Sequence, residues 1–257
     1  MTMQRQQFQH NGLTLSYLDS GVDAPVLIAL HAHWMEGITF ASLSAALSPE
    51  WRVIALDQRG HGYSDHAEAY TRADYIGDLE AFFAHLKINK PVVLLGNSLG
   101  GVNAYQFAAR HPDLVHAMII EDIGVDILVD VNFSLAWEGS FKTREELVER
   151  VGPRLLSCLQ DSFRDTENGW RLAFDVKEMI TSNNFVAGNH WKDWLASDCP
   201  ALLIRGHDSR VTTQEHLEQM ASQRPNTSLQ VMEGGHVLHV ENPAAFTEAV
   251  KEFLQIL

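Results

Sequence analysis

Cysteine is scarce in this chain of 257 residues, which has only Cys158 and Cys199. Two thiols make no disulfide framework, and both are expected to be free and buried. Positive charge is short as well: 19 lysines and arginines face 33 acidic residues, a formal net charge of −14. Nucleic acid and anionic membrane surfaces need a basic face, so neither is expected as a partner. The longest apolar runs, such as Pro25–Leu30 and Val92–Leu95, are far too short to span a bilayer. The opening segment MTMQRQQFQHNG is polar and lacks the apolar core of a signal peptide, so a cytoplasmic location is expected. Repeats, low-complexity tracts and long charge runs are absent too. No histidine–cysteine cluster has metal-ligand spacing, so neither a metal nor an organic cofactor is expected.

What is present is enough apolar side chain for a sizeable core: 46% hydrophobic residues against 20% charged. Short apolar runs alternate with segments of helical period. Strands are expected at Pro25–Leu30, Arg52–Asp57, Pro91–Gly96, Val115–Glu121, Ala201–Gly206 and Ser228–Glu233. The first five are nearly continuous in apolar residues, as strands buried on both faces should be. Helices are expected near 38–47, 71–87, 99–110, 213–224 and 243–256. In the second, Tyr75, Leu79, Phe82, Phe83 and Leu86 recur at three- and four-residue spacing and make one apolar face. This alternation predicts an α/β protein with a mostly parallel sheet covered by helices on both faces. A leading β-hairpin is expected around Asn11-Gly12.

The alternation stops between residues 125 and 198. That stretch carries helical patterns (143–160, 170–182, 187–195) and many aromatics, among them Trp137, Phe163, Trp170, Phe174, Trp191 and Trp194. An all-helical insertion between two sheet strands is the economical reading. It divides the chain into a core (1–124 and 199–257) and a helical cap (125–198). Most of its aromatics are expected to pack onto the core, and a few to form an apolar lid.

Gly96-Asn97-Ser98-Leu99-Gly100-Gly101 lies directly after one apolar strand and before an amphipathic helix. Gly-x-Ser-x-Gly in that context lifts the serine on a sharp strand-to-helix turn, and side chains in place of Gly96 and Gly100 would collide with neighbouring elements. Ser98 is therefore the expected nucleophile, with the Leu99 N–H at the helix start aimed where an oxyanion would form. A serine hydroxyl needs a base. Among thirteen histidines, His236 stands out, because Gly234-Gly235-His236 follows the last strand and precedes the closing helix. That places it at the same carboxyl edge of the sheet as Ser98; His239 is the rival. After the first buried strand comes Leu30-His31-Ala32-His33-Trp34, where the His33 N–H is the expected second oxyanion donor. Asp57, Arg59 and His61, in the segment DQRGHGYS, are expected to brace a loop.

The segments LHAHW, DQRGHGYS, GNSLGG and EGGHVLHVENP follow one another in the order found in the α/β-hydrolase superfamily, which the chain resembles over nearly its full length. The resemblance implies an eight-stranded sheet, a helical cap after the sixth strand and a serine–acid–histidine triad in that chain order. Ala32 departs from the glycine usual at its position and narrows the oxyanion loop slightly. In most of the family the acid lies three residues beyond the glycine that ends the seventh strand. Counting from Gly206 gives Ser209, with Asp208 one residue early. In some esterase-like members the acid follows the sixth strand instead, where Asp122 falls. Asp122 is favoured, Asp208 is the alternative, and Glu121 is a third candidate that strand alternation turns away from the side of Asp122.

The activity so implied is hydrolysis of a carboxylic ester or related acyl bond of a small, mainly apolar substrate. Two other readings stay open: a carbon–carbon bond hydrolase or lyase on the same fold, and a low-turnover ligand receptor that keeps the pocket. Arg144, Arg150, Arg154, Arg164 and Arg171 are scattered over the insertion and expected to face solvent.

Overall fold

A computed structural model describes residues 2–257. The chain opens with β1 (Gln4–His10) and β2 (Leu13–Asp19), an antiparallel hairpin closed by Asn11 and Gly12, both at positive φ. Two consecutive left-handed residues give the turn whose twist matches that of the strands. Then come β3 (Val26–Leu30), α1 (Ala41–Leu47), β4 (Arg52–Leu56), α2 (Arg72–His85), β5 (Val92–Asn97), α3 (Leu99–Arg110) and β6 (Val115–Glu121). After residues 125–198 the alternation resumes with β11 (Ala201–Gly206), α8 (Gln214–Gln223) and β12 (Thr227–Met232), and the chain closes with α9 (Leu238–Glu241) and α10 (Pro243–Gln255). The sheet has eight strands in the order β1-β2-β4-β3-β5-β6-β11-β12, parallel from β4 to β12.

Alternation along the central strands feeds two apolar cores, one on each face. Ile28, Leu30, Ile54, Leu56 and Leu94 meet α2 and α3 through Ile76, Leu79, Phe82 and Tyr105. Leu27, Ala29, Val53, Ala55 and Leu95 turn the other way, onto Leu43 of α1 and Phe246, Val250 and Phe253 of α10. This is the mostly parallel sheet, covered on both faces, that the apolar runs foretold. Among the described residues no helix is long and apolar enough to cross a membrane.

The segment between β6 and β11 is less helical than its periodicity suggested. The expected helix over 143–160 is two, α4 (Arg144–Val151) and α5 (Pro153–Leu159), because Gly152 sits at φ 84° and Pro153 cannot continue the helix. The expected helix over 170–182 begins only at Val176. Ahead of it β8 (Phe163–Thr166) and β9 (Gly169–Leu172) form an antiparallel hairpin, and Asp175 caps α6 (Val176–Val186) by accepting from the Lys177 and Glu178 N–H groups. Near its ends β7 (Asp126–Ile127) pairs with β10 (Gly188–Asn189), and α7 (Trp191–Trp194) leads back to the sheet. Trp137, Phe163, Phe174 and Trp194 are buried, and Phe185 is exposed.

Arg59 shows how the loop after β4 is braced. Its Nε and Nη2 donate to the two carboxylate oxygens of Asp78 on α2, at 2.6 and 2.8 Å, and Nη1 donates to the Ala69 carbonyl at 2.7 Å. Both side chains are almost fully buried. Breaking a buried pair from one side leaves an uncompensated charge, so Asp78→Asn is expected to cost about 3–5 kcal/mol. The urea midpoint at unchanged slope measures it; an unshifted midpoint would contradict the bracing role.

Candidate active site

Three strained residues mark the carboxyl edge of the sheet. Trp34 after β3, Ser98 after β5 and Asp122 after β6 have φ of 71°, 52° and 47°. A non-glycine residue in this region costs on the order of 1–3 kcal/mol and persists only where its surroundings hold it. The Ser98 N–H donates to the Glu121 carbonyl at 3.1 Å, and the Asp122 N–H donates to the Ile204 carbonyl of β11 at 2.8 Å. The elbow at Ser98 also depends on its glycines. A Cβ on Gly96 would strike the Gly100 carbonyl, and one on Gly100 would strike the Leu30 carbonyl of β3. Ser98 itself is half-buried, at the head of α3. The N–H groups of His33 and Leu99 make no hydrogen bond among the described residues, so both are free to donate to a ligand.

His236 and Asp122 are brought together. The His236 Nδ1 lies 2.7 Å from the Asp122 Oδ2; the carboxylate is fully buried while the imidazole keeps 27% of its surface exposed. Asp122 also accepts from the hydroxyls of Ser209 and Thr212, the latter at 2.6 Å. Ser209 stands three residues beyond the glycine that ends β11, so the side chain at that place donates to a carboxylate from β6. Asp208 is exposed, and its Oδ1 meets His207 Nδ1 at 3.0 Å. Asn97, inside the serine motif, donates its amide to the carbonyls of His236 at 3.0 Å and Glu121 at 3.1 Å. The backbone of His236 is thus tied to the residue beside Ser98. Sequence reasoning missed Asn97, Ser209 and Thr212 as supports, although the count from Gly206 had already landed on Ser209.

The rivals pair with each other. Glu121 Oε2 is 2.7 Å from His239 Nδ1, and both side chains are buried. Asp57 accepts from the Gly37 N–H at 2.8 Å and from the Arg5 side chain. His31, His33 and His61 form a buried cluster, with ring centroids of His61 4.9 Å from His31 and 6.1 Å from His33. Burial pushes the His31 imidazole down to about 3, and holds His33 and His61 well below the ordinary histidine range, so all three are neutral.

Residues 125–198 touch this edge at several points. Ser182 on α6 meets His33 Nε2 at 2.9 Å, Phe174 lies 6.4 Å from the His61 ring, and Trp137 lies 5.1 Å from Trp34. Arg164, expected to face solvent, is half-buried and donates from one nitrogen to both oxygens of Glu36, at 2.8 and 2.9 Å. Burial raises the Glu36 carboxyl to about 7 against the lowering effect of that guanidinium. A cavity of about 470 Å³ lies elsewhere, at the amino ends of β3, β4 and β5 beside Pro25, Arg52 and Val92, remote from Ser98. His207, Asp208 and Glu233 bring donor atoms within 4.8 Å of one another on the surface.

The buried histidines make stability depend on pH. Their folded-state values lie below the ordinary 6.5, so unfolding takes up protons below that pH, and their contribution is lost as pH falls. Glu36 acts in the opposite sense: its raised value adds stability at low pH that is lost as pH rises from 4.5 to about 7. Three groups outweigh one, so the denaturation midpoint should fall from pH 7 to pH 5. His61 Nε2 has no partner among the described residues, and Nδ1 meets the Arg59 carbonyl at 2.9 Å; His61→Phe should therefore lower the midpoint at pH 7 and show a shallower fall. An identical slope in that variant would remove His61 from the account.

A family model described as "Alpha/beta hydrolase family" matches residues 26–249. Over 245 residues the chain is 27% identical to a Haemophilus influenzae protein provisionally named an esterase/lipase, covering 91% of this chain and 84% of the relative. A crystal structure of E-2-(acetamidomethylene)succinate hydrolase superposes with a TM-score of 0.86 at 21% identity, covering 98% of this chain and 99% of that one. An esterase from a marine microorganism superposes with a TM-score of 0.82 at 26% identity, covering 93% and 98%.

Proposed function

The chain belongs to the alpha/beta hydrolase family, and from that membership we propose that it is a serine hydrolase cleaving a carboxylic ester or related acyl bond of a small, mainly apolar substrate. The observation that carries this reading is the 2.7 Å contact between His236 and a buried Asp122, with the His236 carbonyl held by the amide of Asn97, the residue before Ser98. Its esterase character draws on the Haemophilus and marine relatives. Residues 125–198 act as a cap over the site, and their aromatics favour an apolar group.

In this mechanism His236 Nε2 takes the Ser98 proton as Oγ attacks the acyl carbon. Asp122 holds the imidazole in the Nδ1–H tautomer and stabilises the imidazolium that forms. The carbonyl oxygen gains the displaced electron pair and is held by the Leu99 and His33 N–H groups. Collapse of the tetrahedral adduct expels the alkoxide, which receives its proton from His236 and leaves Ser98 acylated. His236 then takes a proton from water, hydroxide attacks the acyl carbon, and Ser98 departs with a proton from His236.

Short p-nitrophenyl esters and an alkyl fluorophosphonate test this. Wild type should hydrolyse the esters and be labelled at Ser98, and Ser98→Ala should lose both. Asp122→Asn should lower turnover by about 10⁴-fold, as loss of a triad acid does elsewhere, while Asp208→Asn should leave it unchanged. Equal, mild losses in the two aspartate variants would remove both from the triad. A wild-type enzyme that neither turns over an ester nor takes the phosphonate would favour a ligand receptor; labelling without ester turnover would favour another bond, such as carbon–carbon.

A further inference from the structure

The histidine loop is gripped twice from the end of β6, and the mechanism above uses only one grip. Glu121, the last residue of that strand, is fully buried. Its Oε2 meets His239 Nδ1 at 2.7 Å and its Oε1 accepts from the His239 backbone N–H at 3.0 Å. The His239 ring stacks on Phe40 at 4.3 Å and its Nε2 meets the Thr39 hydroxyl at 3.2 Å. The other end of the same residue faces the nucleophile: the Glu121 carbonyl accepts from the Ser98 N–H and from the Asn97 amide, each at 3.1 Å. A buried carboxylate with these partners is costly unless satisfied. Its two oxygens are spent on His239 in α9, three residues beyond His236.

We propose that Glu121 is a positioning residue for the hydrolase chemistry, a yoke that fixes the loop of His236 to the elbow of Ser98 through His239. Successive side chains at a strand end point to opposite sides. Glu121 therefore holds the far end of the loop while Asp122 holds the imidazole at its near end. With Asp122 and the Asn97 amide alone, His236 keeps its tautomer and its backbone tie, but the segment beyond it has no anchor on β6. With Glu121 as well, the imidazole is set relative to Ser98 Oγ. The inference rests on the serine-hydrolase reading, and Glu121 touches neither substrate nor reacting atoms.

The test follows Ser98 labelling by an alkyl fluorophosphonate, which reads activation of the serine without knowledge of the substrate. Glu121→Gln is isosteric but cannot accept at both oxygens. It is expected to slow labelling about ten- to a hundredfold, the scale of losses from small misplacement of a catalytic group. A merely structural role would lower the melting temperature and leave the labelling rate of folded molecules unchanged, which would overturn the proposal. Two further variants keep the proposal testable if Glu121→Gln does not fold. His239→Phe keeps the stack on Phe40 and loses the Nδ1 donor, so it should be slowed alike. His239→Asn places an amide donor near the position of Nδ1 and should recover most of the rate. Equal labelling of these two variants would overturn the proposal. A wild type that takes no label would overturn the hydrolase reading itself, whereas a labelled wild type with unaffected variants would overturn only the yoke.

Discussion

The carboxyl end of β6 joins what would otherwise be three separate loops. Glu121 and Asp122 are consecutive, and Asp122 turns into positive φ as the strand stops. From that corner a carbonyl holds the Ser98 N–H, one carboxylate meets His236 and the next meets His239. The Asp122 N–H is in turn held by β11. The strain at Ser98 and Asp122 is of order 1–3 kcal/mol each, and bonds to buried charged groups are of similar size or larger. Backbone geometry that would relax in isolation is therefore held where strands β5, β6 and β11 end side by side.

Around this corner many polar groups are buried, most of them paired, while Trp34 Nε1, His61 Nε2 and Asn97 Oδ1 have no partner among the described residues. The neutral histidines 31, 33 and 61 form a small buried cluster beneath the Trp34 turn. Gln58 supports it from the next strand end, donating its backbone N–H to His31 Nε2 at 3.0 Å and its amide to the His31 carbonyl at 2.7 Å. Residues 125–198 are attached to this edge through Ser182 to His33, Ser162 to the Trp34 carbonyl and Arg164 to Glu36, and to α3 through Gln106, which donates to Asp193 at 2.8 Å.

The sheet and the elbow were legible in the sequence because their signals are local. Five apolar runs of five to seven residues, too short for buried helices, read as strands buried on both faces, and β6 and β11 fall on the expected bounds. Glycines at 96 and 100 announce a backbone approach that a side chain would block. Local signals also misled. Helical period over 170–182 concealed a hairpin, since Trp170 lies opposite Asp165 across β8 and β9, and cross-strand pairing leaves no mark in a single segment. Gly152-Pro153 and the capping aspartate at 175 were present to be read and outweigh apolar spacing.

The sequence by itself determined the strand order along the chain, the motif around Ser98 and the loop of His236, because each depends on neighbours a few residues away. Which carboxylate stands beside His236 depended on groups 114 and 118 residues apart in the chain. Glu121 ends β6, and Asp122 and Asp208 lie just past β6 and β11 at the same edge, and spacing cannot tell which lies beneath a loop arriving from another strand. Packing β6 against β11 decided it. That contact buries Asp122 among Ser209, Thr212 and His236, sends Glu121 to His239, and leaves Asp208 in water.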